Sequence, residues 1–235
     1  MTFTVFGAHL TATGDYKKAE LAFSNALSIL KALEGEPKSS FADALLGIAD
    51  LMTVISKYDE AMDYYAQCLN IQQSIFGKMH DDIALTLYSM GLARLDEGVY
   101  SSALILFAKS LYMRIELHGK SHSAVGDTYD IMGFVEAKSG DLENAQLRLN
   151  DALKVRKLLR DRLKEADTLS NIGNLHRERN EFELASKRYD DCLKIRIFEL
   201  GRNNQSVADV FVALGNVQSD MDNSEEALSH YREGK

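Results

Sequence analysis

One alanine recurs at a nearly constant spacing along the whole chain: Ala19, Ala61, Ala103, Ala145, Ala185 and Ala227, in steps of 42, 42, 42, 40 and 42 residues. Four further columns keep register with it. Three residues before stand Tyr16, Tyr58, Tyr100, Leu142, Phe182 and Ser224; four residues after stand Phe23, Tyr65, Phe107, Leu149, Tyr189 and Tyr231. Five before are the turn-tolerant Gly14, Ser56, Gly98, Gly140, Asn180 and Asp222. Twelve before are the small Gly7, Ala49, Gly91, Gly133, Gly173 and Gly215. A chain with such a period is built by stacking one supersecondary unit, because a lone unit cannot bury its apolar face.

Each period holds two helical patterns. Leu87, Met90, Gly91 and Arg94 follow i, i+3, i+4, i+7, as do Leu169, Ile172, Gly173 and His176; we term this helix A. Helix B carries Ala103, Leu104, Phe107 and Leu111, or Ala185, Tyr189, Cys192 and Leu193. A small residue on each helix lets two backbones approach, so the pair packs as an antiparallel hairpin, with the aromatics filling the space beside the small anchors. The expected fold is all-α: one helix-hairpin solenoid over residues 1–235, five full hairpins and a partial one, with repeats near 1–39, 40–81, 82–123, 124–164, 165–206 and 207–235. Proline occurs only at Pro37, which suits uninterrupted helices. Loops between repeats carry glycine, at Gly35, Gly77, Gly119 and Gly201, a residue that ends helices by taking positive φ. The fourth, Leu158-Leu159-Arg160-Asp161-Arg162-Leu163, has none and is two residues shorter, so stacking is expected to be least regular over 158–166. Both ends fall inside the repeat pattern, which suggests an excerpt of a longer array or pairing with another chain.

These columns resemble the tetratricopeptide repeat, in which an aromatic-x2-Leu-Gly helix precedes an Ala-x3-Phe helix. The 42-residue period and the Gly-x-x-His loops at Gly77/His80 and Gly119/His122 are similar to the kinesin light chain type, although the proline common after the loop histidine is replaced by Asp81 and Ser123. The resemblance implies a right-handed superhelix whose helices A line a concave groove for a peptide or protein partner. The helix A asparagine that contacts cargo peptide in light chains is matched cleanly only at Asn171.

Composition narrows the partners. A net charge of −8 argues against nucleic acid, whose binders need lysine and arginine to displace counterions, and gives no support for an anionic membrane surface. No run of 18 apolar residues predicts a membrane span. The first residues lack the basic stretch of a signal peptide. Cys68 and Cys192 form no disulfide framework, which fits a reducing, cytoplasmic setting.

No nucleotide-binding or hydrolase motif is present, so the chain reads as non-catalytic, with no cofactor. His118 and His122 could suggest a metal pair, but His122 shares a column with His80, which points to loop geometry. Cys68 and Cys192 also share a column, alongside Ala26, Ser110 and Ala152, and read as small buried packers.

The binding candidates lie on helix A: Asp50, Tyr88, Asp96, Asp127, Asp130, Asp167, Asn171, Asn174, Arg177 and Asn216. Asp43, Asp127, Asp167 and Asp209 stand six residues before the small anchor, which places them near the helix start, where they would complement the dipole at ~0.3–1 kcal/mol each. Asp50, Asp96, Asp130 and Asp220 lie deeper and suggest an acidic groove for a basic peptide. Asn171 and Asn174 share a face and could pair with a peptide backbone through both donor and acceptor. The expected function is a peptide- or protein-binding adaptor of the kinesin light chain type. The alternative is the sensor segment of a larger signalling ATPase or enzyme.

Overall fold

The computed structural model describes residues 2–32 and 38–235, with the side chains of residues 2 and 3 excluded. The loop at 33–37, with Gly35 and Pro37, lies outside the described residues. Regular structure among the described residues is entirely helical: α1 (Thr2–Ala12), α2 (Tyr16–Ala32), α3 (Lys38–Val54), α4 (Tyr58–Phe76), α5 (Asp81–Asp96), α6 (Tyr100–His118), α7 (Ser123–Lys138), α8 (Leu142–Leu159), α9 (Arg162–Glu178), α10 (Phe182–Leu200), α11 (Gln205–Asp220) and α12 (Ser224–Glu233). They form sequential antiparallel hairpins, helix A then helix B, in a solenoid of about six repeats. The chain divides into two compact units, Met1–Leu117 and His118–Lys235. Within the first, α1 packs on α3 and α3 on α5; within the second, α7 packs on α9.

The turn inside each hairpin is the same six times. Gly14, Ser56, Gly98, Gly140, Asn180 and Asp222 all have positive φ, from 58° at Asn180 to 86° at Gly140. That residue lets the next amide reach back to the carbonyl five residues earlier, as in Lys57 N to Met52 O at 2.8 Å and Val99 N to Arg94 O at 2.8 Å. The bond occupies a carbonyl that the helix end would otherwise leave unpaired.

Small-on-aromatic packing holds five of the six hairpins together, and Leu149 packs on Gly133 in the fourth. A β-carbon on Gly91 would stand 2.6 Å from the Phe107 ring, one on Gly173 2.8 Å from Tyr189, and one on Gly215 2.5 Å from Tyr231. Only glycine admits the ring that closely. Phe23, Tyr65, Phe107 and Tyr189 are essentially inaccessible to solvent, and each buried ring contributes on the order of 1.5–3 kcal/mol.

The loop histidines are helix caps. His80 Nδ1 accepts from the Asp82 amide at 3.2 Å and His122 Nδ1 from the Ala124 amide at 3.3 Å. Their rings stack on Phe76 and His118, with centroids 3.9 and 4.3 Å apart. Asn204 fills the same place for α11, accepting from Ser206 N at 2.9 Å. At the short fourth junction Arg160 turns left-handed at φ 55° and Asp161 caps α9 through Lys164 N. The stretch expected to be least regular is thus a tight two-residue link, and α8 still packs on α9.

Candidate functional site

Three helix A positions one residue past the small anchor are tied to the tyrosine of the same hairpin. Tyr65 donates its hydroxyl to Asp50 Oδ1 at 2.6 Å, Tyr189 to Asn174 Oδ1 at 2.6 Å, and Tyr231 to Asn216 Oδ1 at 2.9 Å. Where helix B carries Phe23, Phe107 or Leu149 instead, the same helix A position is Ala8, Leu92 or Phe134. A hydroxyl and a polar partner occur together because a phenol packed inside the hairpin needs an acceptor. Three of the ten candidates therefore already serve the hairpin, with part of each side chain left over.

The aspartates are placed differently from the sequence expectation. Helices A begin four or five residues before Asp127, Asp167 and Asp209, because the caps His122, Asp161 and Asn204 fix their start. These carboxylates sit in the second turn, where the helix dipole has faded. Arginines from helix B meet two of them: Arg156 reaches Asp127 at 2.6 Å and Arg196 reaches Asp167 at 2.7 Å, both across 29 residues. Arg156 also contacts Asp130 at 3.3 Å and donates to Ser123 O at 3.1 Å, while Lys164 binds Asp127 at 2.8 Å. Only 1% of the Arg156 side chain is exposed, so its two carboxylates balance a charge removed from water. Burial pushes the Asp127 carboxyl up, but the Lys164 hydrogen bond and the Arg156 charge outweigh it and leave it below the usual carboxylate value. Burial of Asp130 prevails over its hydrogen bond from Thr168 and the Arg156 charge, raising it to about 6.

The first unit keeps acidic groups without such partners. Neither Asp50 nor Asp96 forms an ion pair with a described residue. Crowding by the protein raises the Asp50 carboxyl pKa, partly offset by the Tyr65 hydrogen bond. Tyr88 tilts against Phe107 and lies beneath the Arg114 guanidinium, 4.5 Å from its ring centroid.

In the second unit a groove of about 490 Å³ brings Asn171, Asn174 and Arg177 together. Its apolar lining includes Gly133, Phe134, Ala137, Leu149 and Leu175; Lys138, Glu178 and Asp220 supply charge. It opens at the one hairpin with leucine, Leu149, where the other five carry an aromatic ring. That substitution was visible in the sequence and is the signal that the column reading passed over. Arg177 is paired with Asp220, and Lys138 lies over the Phe134 ring at 5.5 Å. Asn171 is half-buried and makes no hydrogen bond to another described residue. The lining is balanced in charge rather than acidic, because Arg177 and Lys138 offset Asp220 and Glu178. An open groove with an apolar wall beside the amide side chains of Asn171 and Asn174 has the shape and chemistry to accept an extended chain.

Among the described residues no three His, Cys, Asp or Glu side chains converge as metal ligands. Cys68 and Cys192 are buried, and burial pushes both thiols up to about 11. Cys68 donates to Ala42 O at 3.3 Å, and Ser110, its counterpart one repeat on, donates to Ala84 O at 2.6 Å. Among the described residues no helix is long and apolar enough to cross a membrane.

Comparison with known proteins gives a consistent picture. A sequence model of the tetratricopeptide repeat matches residues 82–158 and 161–234. The sequence finds no match among curated proteins. Among solved structures the chain is similar to BtubC (BKLC) from P. vanneervenii, with a TM-score of 0.81 at 15% identity over 93% of this chain and 89% of that one. It is similar to a putative kinesin light chain of Podosopora anserina with nearly identical TPR-like repeats, with a TM-score of 0.71 at 12% identity over 85% and 95%. It also resembles the Rap conjugation gene regulator of plasmid pLS20, solved in complex with the Phr* peptide, with a TM-score of 0.66 at 14% identity over 99% and 73%.

Proposed function

The chain belongs to the tetratricopeptide repeat family, and on that premise we propose that it is a non-catalytic adaptor of the kinesin light chain type that holds an extended peptide segment against helix A. The groove of the second unit carries the reading: an apolar wall from Leu149 and Leu175 beside two amide side chains, Asn171 and Asn174. A preformed groove on packed helices loses little conformational entropy on binding. With Asp127, Asp130, Asp167 and Asp220 ion-paired, the reading leaves attraction for a basic segment to Asp50 and Asp96 of the first unit. Two unpaired thiols, Cys68 and Cys192, suit work in a reducing cytoplasm. A second reading, the peptide-responsive segment of a larger regulator or signalling ATPase, draws support from the likeness to the Rap regulator solved with a peptide.

The test is selection of twelve-residue peptides from a random library on the immobilised chain, with affinities measured by fluorescence anisotropy. Selected peptides should lose roughly threefold to tenfold in affinity with Asn171→Ala, the scale of one hydrogen bond. A library that yields no peptide, or peptides indifferent to Asn171→Ala, would overturn the groove reading.

A further inference from the structure

The groove asparagine Asn174 is not free to present either end of its amide. Tyr189 Oη lies 2.6 Å from its Oδ1, and a phenol could in principle donate to the oxygen or accept from the NH2. The repeat itself decides between them. Asp50 occupies the same column, is an isostere of asparagine, and meets Tyr65 at the same 2.6 Å. An ionised carboxylate only accepts, so in this column the tyrosine donates. The Tyr189 ring is packed against Gly173, which fixes where the hydroxyl points. Burial also pushes the phenol up to about 12, so the proton to be donated is present at neutral pH. With Oδ1 engaged, the Asn174 NH2 is left at the exposed groove wall and has no partner among the described residues.

We infer that Tyr189 is a positioning residue: its hydroxyl locks the Asn174 carboxamide with the NH2 facing the groove, so that the groove selects a segment placing a backbone carbonyl oxygen at that point. The inference rests on the peptide-groove reading and sharpens it. The wall offers a donor at Asn174, whereas the corresponding Asp50 of the first unit offers an acceptor. The same hydrogen-bond column thus asks for opposite chemistry from a ligand in the two units.

The experiment has a ligand-free arm and a ligand-bound arm. In 15N-labelled whole chain, the Asn174 side-chain NH2 signals, assigned by their loss in Asn174→Asp, should shift in Tyr189→Phe while the backbone spectrum stays folded. Phenylalanine already fills this column at Phe23 and Phe107, so the variant keeps the packing. With the library-selected peptide as probe, Tyr189→Phe should weaken binding roughly threefold to tenfold. Asn174→Asp keeps the tyrosine's acceptor but sets a carboxylate against the carbonyl, and should weaken it roughly tenfold or more. Unchanged Asn174 signals in Tyr189→Phe, or an Asn174→Asp chain that binds the peptide as well as the native one, would overturn the inference. If Asn171→Ala still weakens the same peptide, the groove reading survives that failure. If no peptide is selected, the groove reading falls and the ligand-free arm still decides the orientation.

Discussion

The guanidinium of Arg156 fills the space that a β-carbon on Gly126 would occupy, its Cζ and Nη1 each lying 2.9 Å from that point. The neighbouring copies carry Ala42, Ala84, Ala166 and Ala208 at this position, and only the copy facing a fully buried arginine carries glycine. Arg156 cannot swing aside without giving up Asp127, Asp130 and the Ser123 carbonyl. Gly126→Ala should therefore destabilise the chain by about 1–3 kcal/mol, the usual cost of overpacking, read as a lower denaturant midpoint with an unchanged slope. A loss no larger than that of an exposed helix substitution would show that the arginine relocates freely.

Ser56 holds the hairpin turn at φ 61°, where Gly98 does the same work at 85°. A side chain in the left-handed region costs roughly 1–2 kcal/mol, while glycine's extra freedom in the unfolded chain costs about 0.4–1 kcal/mol. Ser56→Gly should thus be stabilising by up to about 1 kcal/mol, and Gly98→Ala destabilising by a similar amount. Urea melts of the two variants check both signs, and a destabilised Ser56→Gly would show that the serine side chain contributes more than the turn strain removes.

What could be read from the sequence follows from how local each interaction is. The turn column, the glycine–aromatic pairs and the hairpin order involve residues within about one repeat of each other and recur with it, so comparison between copies exposes them. The tyrosine–Asp50 and tyrosine–asparagine bonds were legible in the same way, because Tyr65, Tyr189 and Tyr231 have polar partners where Phe23 and Phe107 have Ala8 and Leu92. The aspartates were misplaced because a helix start is set by its cap, and the loop histidines that cap α5 and α7 also belong to the column that marks the loop. The Arg156–Asp127 pair depends on burial, which periodicity does not report. The groove itself depends on the missing ring at Leu149 and on side chains from separate repeats, which no single column displays.

Leu149 makes the groove possible, since a ring in its place would occupy the space beside Gly133. Gly91 accepts Phe107 in the equivalent pair, so the backbone tolerates the larger side chain. Leu149→Phe should leave stability within about 1.5 kcal/mol of the native chain and abolish binding of library-selected peptides. Retained binding at native affinity would move the binding site away from this groove.

Asp130 gives the second unit a pH-dependent liability. Burial pushes its carboxyl up to about 6 in the folded chain from the usual 3.8, so between those values the folded state holds a proton that the unfolded state has lost. Stability from this group is fully present below about pH 3.8 and falls as pH rises through 6, by on the order of 2–3 kcal/mol in all. Asp127 acts with the opposite sign and in another window, because its carboxyl is held below the usual value and its contribution is lost only as pH falls through that lowered range. Asp130→Asn removes the titration while keeping an oxygen for the Thr168 hydroxyl, which now reaches Asp130 Oδ2 at 2.9 Å. The difference in unfolding free energy between native and variant chains, measured from pH 4 to 7, should shift steadily in the variant's favour as pH rises. A difference that stays flat across that range would show that Arg156 holds Asp130 ionised and that burial does not control its titration.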